Sequence, residues 1–467
     1  MIRLFRHYVP LPLLLMAVTE VIVLFSSVYA GVAVRFMTTD IEAHSESVGP
    51  IFPKALIFSF VMLVIMTAFG LHQRDGKQEG HGGYSVRLVA SFVLGLVIML
   101  LLFYVFPKLL LGRGAFGLVF LFAFVGTALA RLSFVRLFKL DALRSRVLLL
   151  GSGSRSARVE GLERDEHGQR KFNLVGCLPL TNAECCLDRT RILDDKGPIL
   201  SIAKKYKIDE IVVGVRERRG GGLPADQLLE CKLAGINVVD LPSFFERETG
   251  QIQIESLNPS WMIFSDGFRR GSVKDISKRF FDIAVSGALL LATLPVFLVT
   301  ALLVWVESGS PIFFQQERVG EFGRVFRILK FRSMRKDAER DGVPQWAKKG
   351  DERITRIGKV IRKLRIDELP QVFNVFNGDM SFVGPRPERP YFVKDLTQKI
   401  SYYPSRHTVK PGITGWAQIR YPYGATIEDA VQKLQYDLYY VKNHTLFLDL
   451  IILAQTMQVV LFGKGAR

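Results

Sequence analysis

Cysteine is scarce in this chain: four in 467 residues, with no CxxC pair among them. Cys177, Cys185, Cys186 and Cys231 lack the spacing of a zinc site, and the nearest histidine, His167, has no evident co-ligand, so no metal is assigned there. Histidine is sparse too, with seven in the chain. Acidic residues are outnumbered, 44 Asp and Glu against 62 Lys and Arg, for a formal net charge of +18. Such an excess points to a polyanion, but zinc-finger spacing and aromatic RNA-binding motifs are both missing, which argues against nucleic acid as a partner. Internal repeats and long low-complexity tracts are absent, and at this length several domains are expected rather than one core.

Long apolar runs, by contrast, are abundant at the N-terminal end. Val9–Ala30, Ile51–Leu71, Leu88–Phe106 and Ala115–Ala130 each have roughly membrane-spanning length. The first is too long for a signal peptide and has no small-residue cleavage site, so it reads as a retained anchor. Glu20 inside it is expected to face neighbouring helices. Arg3 and Arg6 precede the first run, Arg74, Lys77 and Arg87 lie between the second and third, and Arg131, Arg136, Lys139, Arg144 and Arg146 follow the fourth. Those basic segments are expected on the cytoplasmic side. The loop from Thr38 to Pro50 carries Asp40, Glu42 and Glu46 and no Lys or Arg, as an outer loop should, whereas Lys108 and Arg113 make the second outer loop less clean. Four spans return the chain to the cytoplasm. The cysteines are then free thiols in a reducing compartment, and the positive excess is left to meet anionic lipid and phosphate.

The region 141–270 reads as a Rossmann-like α/β domain. Val147–Leu150 is a predicted strand running into Gly151-Ser152-Gly153-Ser154-Arg155-Ser156-Ala157, a turn that could aim amide N–H groups at a phosphate. Phe172–Gly176, Glu210–Val215 and Asn237–Leu241 supply further strands in a βαβ pattern. Ser156 stands where a dinucleotide fingerprint needs its third glycine, and the second strand leads into Cys177-Leu178-Pro179 without the acid that grips a ribose. NAD is therefore not expected, and the domain reads as structural or regulatory. Arg218-Arg219-Gly220-Gly221-Gly222 reads as a flexible basic loop.

Beyond Gly271 the apolar stretch Phe280–Val306 is long enough to cross a bilayer but contains Pro295. Lys274, Lys278 and Arg279 precede it and Arg318, Arg324, Arg327, Lys330, Arg332 and Arg335 follow, so both ends are expected in the cytoplasm. Proline removes a helical hydrogen bond and bends the axis, which predicts a re-entrant helical hairpin broken at Pro295 rather than a fifth span. Further on, Ile354, Ile357, Val360, Ile361 and Leu364 recur at helical spacing among Arg353, Arg356, Lys359, Arg362, Lys363 and Arg365. This basic amphipathic helix suits the headgroup layer and delivers the adjacent carboxylates Asp367 and Glu368 there. Carboxylates amid cations at a lipid surface suggest phosphate chemistry.

The ordered motifs Lys278-Arg279-Phe280-Phe281-Asp282, Gln316-Glu317-Arg318-Val319-Gly320, Lys330-Phe331-Arg332-Ser333-Met334, Asp367-Glu368-Leu369-Pro370-Gln371, Gly384-Pro385-Arg386-Pro387 and Pro411-Gly412-Ile413-Thr414-Gly415-Trp416 span the C-terminal part of the chain. Together they resemble the bacterial sugar transferases, and more narrowly the monotopic polyprenyl-phosphate glycosyl-1-phosphate transferases that initiate exopolysaccharide, capsule or O-antigen assembly. The preceding anchor and Rossmann-like region resemble the long-form members. The resemblance implies transfer of a sugar 1-phosphate from a UDP-sugar to undecaprenyl phosphate, with release of UMP.

The residues suit that reaction. Asp367 can attack the sugar-bearing phosphorus to give an aspartyl phosphosugar, which the lipid phosphate then displaces. A magnesium ion held by Glu368 and diphosphate oxygens would offset the repulsion between nucleophile and substrate. UMP, with a second phosphate pKa near about 6, leaves without a general acid, so no catalytic histidine is needed. Lys330 and Arg332 alternate on a predicted strand and are read as phosphate ligands. Arg362, Arg386 and Asp437 match positions that the resemblance assigns to phosphate or nucleotide binding or to the neighbourhood of the active site, and Pro387 would stiffen the Arg386 loop. Gly412 and Gly415 are read as tight-turn residues. Trp416, Tyr421 and Tyr423 suit either an interfacial belt or a core, and Phe447–Phe462 suits a helix lying on the membrane or against the catalytic domain.

The expected protein is thus an α/β membrane enzyme of the bacterial inner membrane. It comprises a four-helix transmembrane anchor (1–140), a cytosolic Rossmann-like domain (141–270) and a monotopic phosphoglycosyl transferase domain with a re-entrant hairpin (271–467), an arrangement compatible with a homodimer. Two alternatives remain open: a membrane-bound nucleotide sensor or scaffold whose last domain is inactive, and an NAD-dependent sugar-modifying oxidoreductase built on the middle region.

Overall fold

The computed structural model describes residues 2–4, 7–36, 49–72, 81–137, 144–151, 153–164, 171–179, 189–195, 197–214, 223–257, 267–268, 271–335, 353–421, 424 and 426–462. The acidic loop with Asp40, Glu42 and Glu46, the basic residues Arg74, Lys77 and Lys139, the Arg218–Gly222 loop, His167, Cys185, Cys186 and Tyr423 lie outside the described residues. The chain divides into two compact units, one holding most of Met1–Gln253 and the other Ile254–Arg467 with the short pieces Arg3–His7 and Thr67–Gly70.

In the first unit the four apolar runs form α1 (Leu11–Phe36), α2 (Ile51–Ala68), α3 (His81–Val105) and α4 (Arg113–Leu137). Each contains a stretch long and apolar enough to cross a membrane. Large apolar side chains such as Ile22, Phe60, Leu101 and Leu129 remain exposed on them, as suits a lipid solvent. Glu20 is the expected exception. It is fully buried and pairs with Arg131 of α4 and, at 2.6 Å, with His72 Nε2, while Arg131 Nη1 also donates to Leu71 O. Its charge is met by partners on other segments, as an intramembrane carboxylate requires.

The sheet of the same unit is built from β1 (Arg146–Leu150), β2 (Asn173–Leu178), β3 (Glu210–Val213) and β4 (Asn237–Asp240), all parallel in the order β2-β1-β3-β4. Helices α5 (Ser154–Leu162), α6 (Ile199–Lys205), α7 (Ala225–Leu233) and α8 (Leu241–Thr249) accompany it. The Val-Leu-Leu-Leu run of β1 is apolar at every position because both faces are covered. Val147 and Leu149 pack with Val159, Phe172, Phe244 and Phe245, whereas Leu148 and Leu150 pack with Ile199, Ile202 and Cys231. Ser156, at the third-glycine position, is fully buried; a Cβ on Gly214, just past β3, would overlap its Oγ. Gly214 thus supplies the close approach that the missing glycine would have allowed. Cys177 and Cys231 are free and buried.

The second unit opens with α9 (Ser272–Ser308), followed by the antiparallel hairpin β5 (Phe313–Val319) and β6 (Val325–Phe331). Then come α10 (Arg356–Lys363), α11 (Gln371–Asn377), β7 (Ser381–Val383), α12 (Pro390–Lys399), β8 (Gly412–Thr414), α13 (Trp416–Arg420), α14 (Ile427–Asn443) and α15 (Leu446–Phe462). Where two helical arms were expected, α9 runs uninterrupted through Pro295. Thr293 Oγ1 donates to Leu289 O one turn earlier, and the carbonyl that loses its helical donor at Pro295 is that of Leu291.

Both ends of α9 are fastened to the same unit. Lys278 Nζ donates to Asp449 Oδ2 at 2.7 Å, and Asp282 Oδ1 accepts from Ser381 Oγ and Phe382 N. Near the other end Phe297 packs with Phe331 and Phe373, and Glu307 accepts from the backbone N–H groups of Arg356 and Ile357. The outward face keeps Leu291, Leu298, Leu302, Trp305 and Val306 exposed.

The C-terminal helix α15 lies against the domain, with Leu448, Asp449 and Ile452 fully buried. Trp416 belongs to the core: it is 2 % exposed and stacks on Tyr439 at 5.8 Å between ring centroids. Tyr421 donates to Asp429. Gly384 and Gly412 meet where β7 and β8 run side by side, and a Cβ on either would overlap the other's chain; Gly415 likewise faces the Gly384 carbonyl. Gly412 and Gly415 therefore serve a close crossing of two segments, and not the tight turn expected of them.

Candidate active site

Arg365 begins the site's local geometry. It holds the left-handed conformation at φ 60°, ψ 17°, ending the basic helix α10 and turning the chain into a short 3-10 segment, Ile366–Glu368. A non-glycine residue there carries strain, and the turn it makes presents the two adjacent carboxylates. Asp367 is 8 % exposed and its Oδ1 is buried with no hydrogen-bond partner among the described residues. Glu368 Oε1 accepts from Lys330 Nζ at 2.8 Å and from Arg386 Nη2 at 3.2 Å.

Lys330 reaches the dyad because β6 is locked to the helix that follows it. Asn374 on α11 accepts from Leu329 N at 2.9 Å through Oδ1 and donates to Arg327 O at 2.8 Å through Nδ2, continuing the edge of β6 with a side-chain amide. Asn374 lies a few positions beyond Glu368, so carboxylates and lysine share one rigid frame. Arg332, just past β6, sits half-buried with its Nη1 enclosed and without a partner among the described residues. Arg362 lies in the last turn of α10 and acts on Asp367 through its charge.

The electrostatics divide the dyad. Burial works against ionisation of Glu368, but the charges of Lys330 and Arg386 outweigh it and hold the carboxyl well below its ordinary value. For Asp367 burial and then the neighbouring Glu368 charge raise the pKa, partly offset by Lys330, Arg362 and Arg365. One carboxylate is thus an ion engaged by cations; the other is an under-solvated oxygen with nothing donated to it at Oδ1, which suits a nucleophile.

Three of the expected residues, Glu368, Lys330 and Arg386, are joined in one hydrogen-bonded cluster, and a fourth, Asp367, lies next to it and is coupled to Glu368 and Lys330 through charge. Asp437 is not part of it. It is 2 % exposed and pairs with Arg406, whose Nη2 approaches Oδ2 at 2.8 Å. Pro387 acts through its carbonyl, which accepts from Arg318 Nη1 at 3.1 Å. Pro295 lies inside α9, away from the dyad in sequence. Asn374, Arg406 and the roles of Arg318 and of Arg365 as the turn before the dyad escaped the sequence reading. The basic motif around Arg318 was visible, but a buried arginine next to a histidine, as in Arg406-His407, carries no local signal.

Among the described residues no group of three or more His, Cys, Asp and Glu side chains could hold a metal. The donor set fits magnesium only as the ion usually sits on phosphates, with one or two carboxylates from protein and the rest from substrate and water. Glu368 is the carboxylate that would hold such an ion, together with oxygens of the substrate.

Residues 273–463 match the family of bacterial sugar transferases. The chain is 42% identical over 194 residues to the sugar transferase EpsL of Bacillus subtilis, covering 91% of that protein. The chain belongs to the bacterial sugar transferase family. It is also similar to larger members: 42% identical over 261 residues to the UDP-N-acetylgalactosamine-undecaprenyl-phosphate N-acetylgalactosaminephosphotransferase of Aeromonas hydrophila, and 31% identical over 332 residues to the undecaprenyl-phosphate glucose phosphotransferase of Komagataeibacter xylinus. These alignments take in 56% and 69% of this chain and 61% and 60% of the two relatives, so the chain spans about three fifths of their lengths. The dyad, its cations and the Arg386 loop all fall within the part matched by the family.

Proposed function

We propose that the chain transfers a sugar 1-phosphate from a UDP-sugar to undecaprenyl phosphate at a bacterial cytoplasmic membrane, beginning the assembly of a surface polysaccharide. The observation that carries this reading is the buried, unpartnered Asp367 oxygen beside a Glu368 engaged by Lys330 and Arg386. Asp367 attacks the sugar-bearing phosphorus, the bond to the bridging oxygen breaks, and UMP departs with that electron pair. An oxygen of the lipid phosphate then attacks the same phosphorus and expels the carboxylate, restoring Asp367. Lys330, Arg332, Arg362 and Arg386 bind and orient the phosphates and counter their charge. Magnesium, held by Glu368 with the substrate's oxygens, supplies further charge neutralisation when bound.

The membrane arrangement belongs to the same proposal. Helices α1–α4 form the anchor, and α9 keeps both ends on the cytoplasmic side, its continuous helix bending about Pro295 instead of splitting into two arms. Supporting this are the basic residues on both sides of α9, the attachment of its two ends to one unit, and its exposed apolar face. The relatives' names include glucose and N-acetylgalactosamine, which sets the first substrates to try. Full-length enzyme in nanodiscs, given magnesium, undecaprenyl phosphate and a panel of UDP-sugars including those two, should release UMP and form a lipid-linked phosphosugar with at least one donor. No UMP from any UDP-sugar would overturn the proposal.

A further inference from the structure

Prolines at 385 and 387 leave the Gly384-Pro385-Arg386-Pro387 loop with few backbone donors, so it must be held by its acceptors. Every carbonyl from 385 to 388 is engaged. Pro385 O accepts from Gly412 N at 2.9 Å, Arg386 O from Arg406 Nη2 at 3.0 Å, Pro387 O from Arg318 Nη1 at 3.1 Å and Glu388 O from Val319 N at 2.9 Å. The outer two donors are strand backbone; the inner two are guanidinium groups. The chain thereby fixes the residue that projects the Arg386 side chain onto Glu368.

Arg406 is built for the task. It is 6 % exposed, donates from Nε to Asp437 Oδ2 at 3.0 Å and from Nη1 to the Tyr403 hydroxyl at 2.9 Å, and lies over the Tyr403 ring. Its third nitrogen is the one that reaches Arg386 O. Asp437 is buried as its counter-ion, and the planar fork makes these contacts at fixed angles.

We propose that Arg406 is a positioning residue of the phosphosugar-transfer site, acting through the Arg386 main chain, and that Asp437 acts only through Arg406. The inference rests on the transferase reading above for its kinetic arm and stands apart from it for its structural arm. Arg406→Lys keeps a charge facing Asp437 but cannot span Asp437, Tyr403 and Arg386 O together.

The test is a double-mutant cycle in full-length enzyme, with Arg406→Lys placed in the wild-type and the Arg386→Ala backgrounds. In the wild-type background kcat/KM should fall about ten- to a hundredfold, the scale of a small misplacement in an active site. In the Arg386→Ala background the same change should cost less than about threefold, because the group being positioned is gone. Equal losses in both backgrounds would overturn the proposal by making Arg406 a general support of the fold.

Hydrogen exchange supplies the arm that needs no turnover. In Arg406→Lys the Gly412 and Val319 amides, which donate to the loop carbonyls Pro385 O and Glu388 O, should exchange faster while those of β1 and β3 are unchanged. Unaltered exchange of those two amides would also overturn the proposal. A wild-type enzyme that releases no UMP would remove the transferase reading instead, leaving exchange to decide the tether.

Discussion

At the scale of single residues, two carboxylates adjacent in sequence have opposite environments. Asp367 must be ionised to attack, and its pKa is raised by burial and by Glu368, so activity should be lost as pH falls through a value above that of an ordinary aspartate. Lys330 opposes that rise. Lys330→Met should therefore move the acid limb of the kcat/KM profile to higher pH, besides weakening phosphate binding; an unmoved or lowered limb would show that the lysine's charge does not act on the dyad. The limb reports the coupled pair and not either residue alone. The dyad and its cations were legible because their chemistry is written in residue type and order. The pairing of Asp437 with Arg406 was not, because the two residues come from segments that meet only after folding.

At the scale of elements, α10 links the apolar helix α9 to the dyad. Its first turn is capped twice, by Thr355 Oγ1, which accepts from Gly358 N, and by Glu307 from the far end of α9. Glu307→Ala should loosen that turn by about 1 kcal/mol, the usual cost of a lost cap, seen as faster exchange of the Arg356 and Ile357 amides. Glu307→Gln keeps an acceptor oxygen and should lose less; equal effects would mean that charge, and not the hydrogen bond, holds the turn. The helical period of α10 and the strand carrying Lys330 were readable from the sequence, although Arg332 falls just past the end of β6. The continuity of α9 through Pro295 was not: proline marks where a helix loses a bond, while tertiary packing, here of Phe297 against Phe331 and Phe373, decides whether it stops. Replacing Pro295 by Leu should straighten α9 and favour a crossing, visible as partial exposure of a tag at Arg467 outside the cell.

At the scale of the whole molecule, the four apolar helices and the presence of a βαβ region were legible because lipid and a doubly covered sheet both impose long apolar runs. The order β2-β1-β3-β4 was not, since strand neighbours are chosen by contacts between distant segments. Tags after Gly271 and at Arg467 should both report from the cytoplasm in the wild type; opposite locations would make α9 a fifth span. The central claim, two displacements at one aspartate, is tested most directly by mixing full-length enzyme with UDP-sugar and magnesium and withholding the lipid. About one UMP per active site should appear, and a phosphosugar adduct should map to Asp367 by mass spectrometry and transfer when undecaprenyl phosphate is added. Asp367→Asn should form no adduct and lose turnover by about a thousandfold or more. UMP release that strictly requires the lipid, with no adduct on the enzyme, would contradict the account and favour direct attack by the lipid phosphate.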